Sequence, residues 1–139
     1  AAVLFMQEMA KMTRVTDITD SKRIRAESLP EGWRVFKING PLFFAAADRI
    51  FGELAELSRE ARGFILYMDG VTVLDAGGLS ALGKLIETCR ESGSQVIVAD
   101  LQFQPLRALA RAGLAPEEGV SRFTPTLEAA LNAAGDKSE

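Results

Sequence analysis

The sequence predicts an α/β fold: a β-hairpin at the start, joined to a mostly parallel sheet with four helices. Three observations carry this. A short, continuously apolar run at residues 64–68, and a second segment at 95–99, apolar from Val96 onward, have the length and the lack of alternation expected of strands buried on both faces of a sheet. Segments of helical period alternate with them, an order that implies right-handed crossovers between parallel strands. The 139 residues, 47% hydrophobic and 25% charged, suit one globular core.

Residues 1–12 open on an apolar run, Ala1, Ala2, Val3, Leu4, Phe5 and Met6, which gives way to Gln7, Glu8 and Lys11. The run is too short to span a bilayer and lacks the basic start of a signal peptide. Lys11 and Arg14 behind it fit the cytoplasmic exit of a membrane helix. An amphipathic helix folded back on the domain, or trimming of the chain, accounts for the run equally well. Residues 13–22 are polar, rich in Thr, Asp and Ser, and read as linker. Residues 24–29 and 33–39 read as the two hairpin strands, with Pro30, Glu31 and Gly32 supplying the turn. Pro41 closes the second strand. From Ala45, apolar residues at Ala47, Ile50, Phe51, Leu54, Leu57 and Ala61 mark an amphipathic helix, with Asp48 near its positive end.

The buried strand 64–68 is expected to end at Asp69-Gly70, and a second helix reads through Leu79, Leu82, Ile86 and Cys89 to a stop at Ser92-Gly93. After the strand 95–99, Pro105 opens a short helix with Leu106, Leu109 and Ala110 inward and Gly113 just past its end. Residues 120–123 read as an edge strand. Thr124 as N-cap, Pro125 at the first position and Glu128 in the first turn start a last helix carrying Leu127, Ala130 and Leu131. The domain reading is a membrane-helix end or linker over 1–22, a folded domain over 23–134 and a fraying tail over 135–139.

Sixteen basic and nineteen acidic residues give a net charge of −3, with no basic run able to track a phosphate backbone, so nucleic acid is not an expected partner. The chain has no histidine and one cysteine, Cys89, which removes most zinc sites, every His-assisted nucleophile and any internal disulfide. Cys89 falls on the core side of its helix and reads as an inert buried thiol. Gly78 to Lys84 spells G-x-x-x-x-G-K, but Leu85 stands where a magnesium-holding Ser or Thr belongs, and the stretch lies within a helical period. Asp69 and Asp100 each follow a buried strand, where α/β ligand sites gather. Their partners for a phosphoacceptor pocket are missing, so both read as residues that bond nearby backbone amides. No cofactor, metal or catalytic residue is expected.

The segment Leu74-Asp75-Ala76-Gly77-Gly78-Leu79 places an Asp and two glycines at a helix start, where exposed backbone N–H groups can meet an anion or a carboxylate. Local physics alone reads Asp75 as a cap and the glycines as room for a tight turn. Residues 68–85 resemble the signature of STAS domains, shared by bacterial anti-sigma-factor antagonists and the cytoplasmic tails of SulP-type anion transporters. The stretch from Ile38 to Ala47, with Gly40-Pro41-Leu42-Phe43-Phe44 inside it, is similar to a passage of the transporter branch.

The resemblance implies a regulatory and protein-interaction domain on the cytoplasmic face of the bacterial inner membrane, part of a transporter for sulfate, bicarbonate or dicarboxylates. It would act in gating, assembly or docking. Its implied partners are the transmembrane portion of the same transporter, a second copy of the parent in a homodimer, and a soluble cytoplasmic protein. Ala76 falls where antagonists bear their phosphorylatable Ser, so no phosphoacceptor is expected. Leu74, Asp75, Ala76, Gly77, Gly78 and Leu79, with Phe43 and Phe44, form the expected contact surface, and a bulky residue at Gly77 or Gly78 is expected to disturb binding but not folding. The alternative is a free-standing antagonist or related soluble switch protein.

Overall fold

Side chains on a strand alternate between the two faces of a sheet, so a strand covered on both faces needs apolar residues at odd and even positions alike. The sequence 63–70 meets that demand. Phe64, Leu66 and Met68 enter one core with Phe36, Ile38, Val96 and Val98, and Ile65 and Tyr67 enter a second with Trp33, Val35, Ile97 and Ala99. The structure is a computed structural model that describes residues 13–25 and 29–135. Its elements run β1 (Arg14–Asp17), α1 (Lys22–Arg25), β2 (Trp33–Asn39), α2 (Phe44–Leu57), β3 (Gly63–Gly70), α3 (Ala76–Ser92), β4 (Gln95–Ala99), α4 (Phe103–Arg111), β5 (Ser121–Thr124) and α5 (Leu127–Gly135).

The strands form one five-stranded sheet in chain order, with β1 antiparallel to β2 and every later pairing parallel. A sheet that grows in one direction through right-handed crossovers must carry its connecting helices on one face. The first core accordingly takes Ile50, Phe51 and Leu54 of α2, Leu82, Leu85, Ile86 and Cys89 of α3, and Leu109 of α4. The opposite face is closed by Ile24 of α1 and by Leu127, Ala130, Leu131 and Ala134 of α5. The expected class of fold is therefore present, with the short α1 added to the four anticipated helices.

Several boundaries differ from expectation. The antiparallel partner of β2 is not 24–29 but Arg14–Asp17, within the expected linker, where Val15 pairs with Ile38. This edge strand is largely exposed and so carries no apolar alternation to announce it. Ile24 is fully buried on α1, and an isolated buried Ile between polar neighbours is equally legible as strand or helix. In α4, Leu109 points inward as expected, but Leu106 is 51% exposed and Ala110 is exposed, with Pro105 buried in their place. The cap of α5 is Thr126 rather than Thr124, since its Oγ1 accepts from the Ala129 amide at 3.0 Å. The expected membrane-helix end over 1–12 and the tail residues 136–139 lie outside the described residues. Among the described residues no helix is long and apolar enough to cross a membrane.

Candidate interaction surface

The loops after β2, β3 and β4 leave the sheet at its carboxyl end, and β1 begins at that end too, because Arg14 lies opposite Asn39. Pairing continues beyond the strands themselves. Gly40 N donates to Gly70 O at 3.0 Å and Leu42 N to Val73 O at 2.9 Å, so that Leu42 and Leu74 form a parallel bridge. Both leucines are buried. The backbone of Leu74 is held from the other side by one α4 side chain: its N–H donates to Gln104 Oε1 at 2.9 Å, and its carbonyl accepts from Gln104 Nε2 at 3.3 Å. A buried residue in a loop thus has both main-chain groups paired, as burial demands.

Asp75 follows in extended backbone as the N-cap of α3, and its carboxylate accepts from the Gly78 amide at 2.7 Å. One of the unpaired donors of the first turn is satisfied there, and the negative charge lies at the positive end of the helix dipole. Gly78 is buried because two chain segments meet over it. A Cβ at this position would collide with the carbonyl oxygen of Leu42 and stand 2.7 Å from Leu74 Cδ1. At Gly77 a Cβ would stand 2.5 Å from Phe44 Cβ. The glycines are therefore packing residues, and the expectation that a bulky Gly78 leaves folding untouched does not survive this geometry. Of the expected surface, Leu74 and Gly78 face inward, Asp75, Gly77, Leu79 and Phe43 are partly exposed, and Ala76 and Phe44 are exposed. The G-x-x-x-x-G-K stretch lies inside α3, away from any strand-to-helix loop.

An open groove of about 530 Å³ separates the first turn of α3 from α4. Leu74, Asp75, Ala76 and Leu79 form one side, and Phe103, Gln104, Arg107 and Arg111 are on the other. Phe103 is 72% exposed, and the Arg107 guanidinium lies 5.3 Å from its ring centroid. These α4 residues were absent from the sequence-derived surface, although Phe103, Arg107 and Arg111 fall four residues apart and so share one helix face. The inward assignment of Leu106 concealed that face.

The remaining candidates are structural. Asp69 does not bond backbone amides as expected; its carboxylate meets Lys37 Nζ at 2.5 Å, and its carbonyl accepts from Gln102 Nε2 at 2.8 Å. Asp100 adopts a left-handed conformation, φ 60°, one of the few non-glycine types that tolerate it, as the chain turns out of β4. Burial pushes the Cys89 thiol up to about 11, so the nucleophilic thiolate is scarce at neutral pH. What gathers around the groove is an apolar floor, an exposed aromatic ring, two guanidinium groups and a carboxylate, a set suited to holding a partner.

Comparison with known proteins bears on the family and the fold. The family model for the STAS domain matches residues 24–130. A sulfate transporter family protein from Wolinella succinogenes is 32% identical with a TM-score of 0.69, over 84% of this chain and 94% of that one. The STAS domain of a SulP transporter from Vibrio cholerae is 27% identical with a TM-score of 0.60, over 77% of this chain and 84% of that one. An anti-sigma factor antagonist from Mycobacterium paratuberculosis, 20% identical with a TM-score of 0.60 over 88% of this chain and 96% of that one, shares the fold. No curated protein sequence matches. With its sheet, four principal helices and α3 loop all inside or beside the matched stretch, the chain belongs to the STAS domain family, and the sulfate-transporter side of that family is what it resembles in sequence.

Proposed function

We propose that this chain is the cytoplasmic regulatory and contact domain of a SulP-type anion transporter, acting without catalysis in gating, assembly or partner docking at the inner face of a bacterial membrane. The observation that carries this reading is the sequence identity of 32% to a sulfate transporter family protein across nearly that protein's whole length. The geometry supports it. Thr13, where the described chain begins, is buried and donates its hydroxyl to the Pro41 carbonyl, and Arg49 Nη2 donates to the Thr13 carbonyl at 3.2 Å. A tether from a preceding membrane helix would thus be clamped at the Pro41 to Phe44 corner, at the same end of the sheet as the α3 loop. The transmembrane portion of the parent is then the first partner of that end, with a homodimeric parent and a soluble protein as further ones.

The antagonist reading is opposed by residues 74–79, in which no side chain carries a hydroxyl. The test is the native polypeptide itself. An antibody to this domain should detect, in membranes of the source cells, a large species that resists alkaline extraction, and deletion of the domain should change anion uptake. A small soluble band of about this size, or uptake indifferent to the deletion, defeats the proposal.

A further inference from the structure

We infer that the groove between α3 and α4 is a docking site for an acidic amphipathic helix of a protein partner. The inference deepens the contact role proposed above and rests on it. Phe103, Arg107 and Arg111 stand on successive turns of α4, so an aromatic ring and two guanidinium groups form a line about 12 Å long at a rise of 1.5 Å per residue. A second helix packed along that line presents its own residues at the same spacing, and two carboxylates one turn apart meet the two arginines.

Charge selects this occupant. Arg23, Arg34 and Arg90 each pair with a carboxylate, and Lys37 pairs with Asp69. No ion pair forms at Arg107 or Arg111 among the described residues, and α4 contains no acidic residue. A local positive strip therefore stands on a chain whose net charge is −3. Beside it, Phe103 is 72% exposed, and aromatic residues and Arg are the types enriched in protein interfaces.

Asp75 decides between an extended and a compact anion. Its carboxylate lines the groove and already occupies the start of α3 through the Gly78 amide, so a phosphate seated on that helix terminus would meet a like charge. A helix lying along α4 keeps its carboxylates on the far wall, beside Arg107 and Arg111, and lays its apolar face against Phe103 and the floor formed by Leu79 and Ala108.

The experiment titrates the full chain into a fluorescein-labelled amphipathic peptide of Leu, Ala and Glu, about five helical turns long, with Glu→Gln and Glu→Lys versions as controls. The expected result is binding of the Glu peptide that weakens with added salt, falls at least about tenfold for the Gln peptide, and is lost for the Lys peptide. The double variant R107E/R111E, altered only at exposed positions and checked for an unchanged melting curve, should prefer the Lys peptide. F103S should weaken binding several-fold. Equal affinity for the Glu and Gln peptides, or no response to R107E/R111E, overturns the inference. So does displacement of the peptide by inorganic phosphate or a nucleoside triphosphate at lower concentration, which would mark a compact-anion site. Failure here leaves the effect of domain deletion on uptake standing, and an uptake that ignores deletion leaves the peptide result standing, so the two proposals fail separately.

Discussion

Two glycines in α3 separate the demands of conformation from those of packing. Glycine inside a helix costs about 1 kcal/mol relative to alanine, because its backbone has more freedom to lose. Gly83 has nothing within 4 Å of an added Cβ. Gly83→Ala should therefore stabilise the domain by about 0.5–1 kcal/mol in urea unfolding. At Gly78 the same methyl meets the Leu42 carbonyl and the Leu74 side chain. Overpacking of this kind costs about 1–3 kcal/mol, enough to outweigh the helical gain, so Gly78→Ala should be destabilising by about 1–2 kcal/mol. A stabilised Gly78→Ala would show that the β2–α2 and β3–α3 loops yield easily at this contact. Asp75, next to it, serves as cap and as a wall of the groove, so its substitution confounds the two roles, whereas the pair of glycines does not.

Between elements, one side chain ties α4 to the loop before α3. Gln104 bonds both the N–H and the carbonyl of Leu74, and Leu74 is bridged on its other side to Leu42. Loss of a net hydrogen bond costs about 1 kcal/mol, and a buried group left unpaired costs more. Gln104→Ala should lower stability by about 1–2 kcal/mol, and the Leu74 amide should lose much of its protection from hydrogen exchange. Slow exchange at Leu74 in that variant would mean that the Leu42 bridge alone fixes the loop. Because the groove is bounded by this contact, its width depends on Gln104 although the charge that selects a partner resides on Arg107 and Arg111.

Across the whole molecule, a single sheet separates two cores, one under α2, α3 and α4 and one under α1 and α5. The three central strands, β2, β3 and β4, contribute alternate residues to both cores, so loss of one face removes the support of the other. Trp33, the sole tryptophan, lies in the second core at 7% exposure, and most of the helix is on the first. Thermal unfolding followed by Trp33 fluorescence and by far-ultraviolet circular dichroism should therefore give coincident transitions. Fluorescence that changes several degrees earlier would mean that α1 and α5 leave the sheet as a separate unit.

The sequence by itself determined the strands covered on both faces and the helices between them, because the apolar runs at 64–68 and 96–99 are of strand length and rich in β-branched and aromatic residues, with segments of helical period between and after them. It also determined the stop at Gly93, which takes the left-handed conformation at the end of α3, and the cap at Asp75, whose bond to Gly78 is local in the chain. Features that depend on distant segments were not legible. The strand Arg14–Asp17 is defined by its ladder with β2 rather than by its own pattern, and Gly78 owes its constraint to Leu42, thirty-six residues earlier. Which face of α4 turns outward was decided by where Leu109 could reach the core. That choice, made by packing between helices and not by helical period, put Phe103, Arg107 and Arg111 along a groove opposite Asp75.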